Sequence, residues 1–226
     1  FLIERELDRF VSLERDGKTT ELQEIIKNSP NAIPSNHMRI LWRLLLSGRV
    51  KSQFNGPELY RWKSRLKSEG LSIMMRLELR ELLAPKVLLK KPFRWRECNL
   101  DKTREVSDIK QLVDWELVLA TDNVHSVLCE SPDENWKLVL PLLLEDLQQL
   151  LRDALDLIQE LSDADAYSDH SYWDLPSISP HWQNRGFHDW VSLIELLRDA
   201  WLACNDIDSS HAEQIAQNWF KLPYPT

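Results

Sequence analysis

The chain has 226 residues, of which 43% are hydrophobic, with five glycines, eleven prolines, ten tryptophans and a net charge of −8. That length can bury a substantial core, as one large domain or two small ones. The few glycines argue against sandwiches, barrels and nucleotide-binding α/β folds, and no apolar run reaches the ~18 residues of a membrane span.

Charge is unevenly divided. Residues 1–35 carry a net −2, residues 36–104 a net +11, and residues 105–226 a net −17. Such asymmetry sets the field around a surface and does not choose a fold. Cys98, Cys129 and Cys204 are odd in number and far apart, which is neither a disulfide framework nor a zinc spacing. Buried free thiols in a reducing, cytoplasmic compartment are expected.

Residues 1–15 read as an amphipathic helix with Ile3, Leu7, Phe10 and Val11 on one side, ended by Gly17. Thr19 or Thr20 opens a second, with Leu22, Ile25 and Ile26 inward, broken by Pro30 and Pro34. Ser35 caps a third, with Met38, Leu41, Trp42 and Leu45 inward and Gly48 near its end. Asn55-Gly56-Pro57 restarts the chain into a fourth helix with Leu59, Trp62 and Leu66 inward, ending at Gly70. A fifth runs from Ser72 to about Leu83 and is closed by Pro85.

Residues 84–104 lack helical spacing, and Val87, Leu88 and Leu89 suggest a short extended piece lying across helices. Helices are expected to resume near Ser107, with Ile109, Leu112, Val113 and Leu117 inward, and a short one covers Val124 to Cys129. The stretch 132–161 is the organising one. Trp136, Val139, Leu140, Leu143, Leu147, Leu150, Leu151, Ala154, Ile158 and Leu161 recur at spacings of three and four. Leu142, Leu144, Leu155 and Leu157 widen the stripe, so several neighbours should pack on it. Ser131 can cap it, Pro132, Asp133 and Glu134 suit its first turn, and Pro141 predicts a kink or short break.

Residues 162–186 form the longest irregular stretch, with Tyr167, Tyr172, Trp173 and Trp182 to pack it down. Asp189 then begins a helix with Trp190, Ile194, Leu197 and Trp201 inward. Ser210 and Glu213 have capping-box spacing and open a last helix with Ile215, Ala216 and Trp219 inward. The chain opens on Phe1 inside a helical pattern and closes on Pro223-Tyr224-Pro225-Thr226, so a piece of a longer protein is expected. The predicted fold is a single all-α domain over residues 1–226, with a basic half at residues 1–104 and an acidic half at residues 105–226. It is either an irregular α-solenoid of HEAT-like hairpins or an irregular helical bundle. No strict internal repeat names a solenoid family.

The most visible charge feature is the alternation Arg61, Lys63, Arg65, Lys67, which flanks the Leu59–Trp62–Leu66 stripe. Arg39, Arg43, Arg76, Arg80, Lys90, Lys91, Arg94 and Arg96 could extend it into a phosphate-contacting, nucleic-acid-binding surface over residues 39–96. The competing reading sends this surface to the acidic half of the chain or to another domain. His181, His188 and Asp189 resemble a fragment of a helical metal-dependent hydrolase, with His125, His170 and Asp206 as further ligands. A capping Asp beside a surface His accounts for the pair equally well. Asp163, Asp165 and Asp169 lack the Gly and closing Glu of a calcium loop. No phosphate-cradling loop and no activated Ser or Cys is visible.

The runs LLAPKVLLKKPFRWRE, WKLVLPLLLEDLQQLLRDALDLIQEL, HWQNRGFHDWVSLIELLRDAWLACND and AEQIAQNWFKLPYP together resemble the helical C-terminal region of large bacterial proteins with an N-terminal sirtuin-like domain. Such proteins are associated with defence against phage. The resemblance implies a helical region that senses, scaffolds or oligomerises, while NAD-consuming chemistry belongs to the sirtuin domain. None of that domain's glycine-rich or histidine motifs occurs here, so no functional residue is carried over. The expected role is non-catalytic, without cofactor or membrane: an interaction with other domains of a parent chain, a protein partner or a second copy. A nucleic-acid-binding module is the alternative, and a hydrolase around His188 and Asp189 the next.

Overall fold

The computed structural model describes residues 40–41, 43–45, 47–51, 56–90, 113–130, 133–161 and 189–219. The two helices expected before residue 30, the Ser35 cap and the irregular stretch 162–186 lie outside these residues. The described chain is mainly helical, with one two-stranded sheet. It runs through α1 (Glu58–Glu69), α2 (Ile73–Leu82), β1 (Pro85–Lys90) and β2 (Asp114–Leu119) to a single π turn at His125–Cys129. Then come α3 (Glu134–Val139), a 3₁₀ turn at Leu140–Leu143 and α4 (Leu144–Leu161). A second 3₁₀ turn at Asp189–Val191 leads into α5 (Ser192–Ile207) and α6 (Ser209–Trp219).

Two compact units divide the chain, one joining residues 1–53 to 87–116 and the other 54–86 to 117–226. The division falls inside the strands and does not follow the charge boundary after residue 104.

In the first unit, residues 40–41 and 43–45 are helical and Leu41, Leu44 and Leu45 are buried. Gly48 follows at φ 67°, a left-handed conformation that a Cβ would strain. Val50 then bridges to Val87 in parallel, with the Val87 N–H donating to the Arg49 carbonyl and the Lys51 N–H to the Val87 carbonyl. The extended piece expected at Val87 to Leu89 is therefore β1, and Lys90 on it pairs with Glu116 of β2.

In the second unit, the Ala120 and Thr121 N–H groups donate to the Ala84 and Leu82 carbonyls at 2.8 and 3.0 Å. Residues before β1 thus pair with residues after β2, so the strands are antiparallel. Here the sequence reading is corrected, because a helix was expected through Val113 and Leu117. Residues 113, 115, 117 and 119 all fall on one parity, and a separation of four fits a strand as well as a helix. Val113, Leu117 and Leu119 are buried, and the alternation wins.

The Leu59–Trp62–Leu66 stripe of α1 is buried as expected, and Gly70, at φ 73°, donates its N–H to the Leu66 carbonyl. Ser72 caps α2 by accepting the Met75 N–H, and Met75 and Leu79 face the core. Trp62 ties three helices together. Its indole N–H donates to the Met75 carbonyl at 2.8 Å, and its ring meets Trp136 of α3 edge-on at 6.1 Å.

The expected break at Pro141 is the 3₁₀ turn between α3 and α4. The cap of α3 is Asp133, not Ser131: its carboxylate accepts the Trp136 N–H at 3.0 Å. Leu144, Leu147, Leu150, Ala154, Leu155, Leu157, Ile158 and Leu161 of α4 are buried. This helix packs along α5, which also meets α6, the first 3₁₀ turn and the π turn. The Leu193, Leu196 and Ala200 side chains fill α5's inner face. Each such leucine, fully withdrawn from water, contributes about 1.5–3 kcal/mol before entropy is counted. The last helix is capped by Asp208, which accepts the His211 N–H, and not by Ser210. Its anchors are buried Ala212 and the half-buried Trp219, whose indole donates to Gln148 of α4.

Candidate functional site

Lys63, Arg65 and Lys67 of α1 and Arg76 and Arg80 of α2 lie within 4 Å of carboxylates of the same unit. On α1, positions 63 and 67 lie one turn apart, so both lysines reach one target. The Lys63 and Lys67 Nζ atoms lie 3.9 and 3.2 Å from Asp133 Oδ2, and Lys63 also donates to the Val127 carbonyl. Arg65 forms a two-pronged pair with Glu78 across α1 and α2. On α2, Arg76 pairs with Asp146 of α4, and Arg80 stands 3.8 Å from the other oxygen of that carboxylate. Lys90 pairs with Glu116. Arg43 and Arg61 are exposed, while Arg39, Lys91, Arg94 and Arg96 lie outside the described residues.

Asp133 is the node of this arrangement. Burial alone would raise its pKa; the Trp136 N–H and the Lys67 and Lys63 charges outweigh it, so the carboxyl titrates below its ordinary range. Lys63 is held below the usual lysine range, first by burial, against the pull of Asp133 and with the push of Lys67. Around them lies a cleft of about 430 Å³, lined by Tyr60, Lys63, Ser64, Lys67, Ser126, Val127 and Asp133.

A second cluster centres on Glu195 of α5. His125 Nε2 lies 3.1 Å from Glu195 Oε2, and its Nδ1 lies 3.5 Å from Glu130. Cys129, one turn beyond His125, is pushed above the ordinary thiol range by burial, then by the charges of Glu195 and Asp199 and a hydrogen bond to Glu195. A thiol so placed keeps its proton and is a poor nucleophile. Cys129 is therefore expected to resist iodoacetamide at mildly alkaline pH in the folded protein and to react once urea unfolds it. Peptide mass mapping checks this, and rapid native labelling at Cys129 would contradict the assignment.

Of the hydrolase set, His170, His181 and His188 lie outside the described residues, and Asp206 is exposed on α5. Asp163, Asp165 and Asp169 lie outside them too. Among the described residues no group of three His, Cys, Asp or Glu side chains converges as a metal site. None of the described helices is long and apolar enough to cross a membrane.

Sequence reasoning assigned Asp133 only to a helix dipole and left Glu195 unremarked. Spacing alone could have coupled Lys63 to Lys67, and His125 to Cys129. Nothing local links either pair to a carboxylate so far along the chain. No protein family, curated protein or solved structure matches this chain.

Proposed function

We propose that this chain is a non-catalytic scaffold or sensor that works by docking protein. The partner is another domain of a longer parent chain or a separate polypeptide. The observation that carries the reading is one face of α2. Ile73, Met74 and Leu77 lie on consecutive turns there, 79%, 72% and 46% exposed, opposite the buried Met75 and Leu79. Clustered large apolar side chains left in water mark interaction surfaces. The arginines beside that face already meet Asp146 and so favour protein over phosphate as the counterpart. An irregular solenoid or bundle of helical hairpins suits such a role. The bacterial, cytoplasmic, phage-defence setting belongs to the same proposal, and its support is the resemblance of the quoted sequence runs.

A photo-crosslinking residue at position 74, introduced in cells that express the gene naturally, tests the reading. We expect one adduct of defined mass, lost in Leu77→Glu, with none from the same group at exposed position 69 of α1. Equal labelling at both positions, or none at 74, would overturn it. So would steeply salt-dependent binding of duplex or single-stranded nucleic acid that Arg61→Glu abolishes.

A further inference from the structure

We draw no further inference here: the strongest candidate, the exposed apolar pair of Leu138 on α3 and Leu142 on the 3₁₀ turn that follows it, carries nothing because nothing in the structure shows what covers it.

Discussion

Trp62→Ala is expected to cost the larger unit about 3–5 kcal/mol. That is a large fraction of the about 5–15 kcal/mol that holds a typical domain together. Trp62 is fully buried, and its ring sits edge-on to Trp136, so truncation opens a void bordered by α1, α2 and α3 at once. Close-packed interiors refill such voids only incompletely. The Met75 carbonyl also loses the indole N–H that it accepts at 2.8 Å. Trp62→Phe separates the two effects: most of the apolar volume stays, the donor is lost, and the expected cost falls to about 1–2 kcal/mol. Urea unfolding followed by far-ultraviolet circular dichroism measures both without relying on tryptophan emission. A Trp62→Ala protein within about 1 kcal/mol of wild type would mean that α1, α2 and α3 do not share this core.

Helix positions were legible wherever an apolar stripe met a strong punctuation mark. Leu59, Trp62 and Leu66 ahead of Gly70 gave α1, Ser72 gave the start of α2, and Pro141 gave the break before α4. Caps were less legible, because Ser131 and Asp133, or Asp208 and Ser210, are equally good on paper; the structure chooses Asp133 and Asp208. Strand β2 was missed for a different reason. The spacing from Val113 to Leu117 satisfies both periodicities, and only its pairing partner β1 decides between them. The site was the least legible. The alternating cations of α1 suggest an open phosphate-binding face until Asp133, Glu78 and Asp146 arrive from elsewhere in the chain. Long-range ion pairing leaves no local trace, since neither partner's neighbours need differ from those of a solvated charge.

Charge reversal at Asp146 should be nearly as damaging as the loss of Trp62, and for an electrostatic reason. The carboxylate side chain is only 12% exposed and lies between Arg76 and Arg80, themselves 39% and 46% exposed. Because both guanidinium groups keep contact with water, simple removal in Asp146→Ala is expected to cost only about 1–2 kcal/mol. Asp146→Lys goes further, since it sets a third cation among two, and the total rises to about 3 kcal/mol at the effective dielectric of a protein surface. Raising the salt concentration should recover some of the Lys variant's loss but little of the Ala variant's, because only the former contains repulsion to screen. Arg76→Glu placed on the Lys variant restores a pair of opposite sign between α2 and α4. The double-mutant cycle should then show a coupling of about 1–2 kcal/mol. A coupling near zero would mean that the pairing of α2 with α4 carries no energy. Arg76 and Arg80 would then be as available to an external anion as their sequence alone suggests, and the preference for a protein partner on the neighbouring face would lose its electrostatic support.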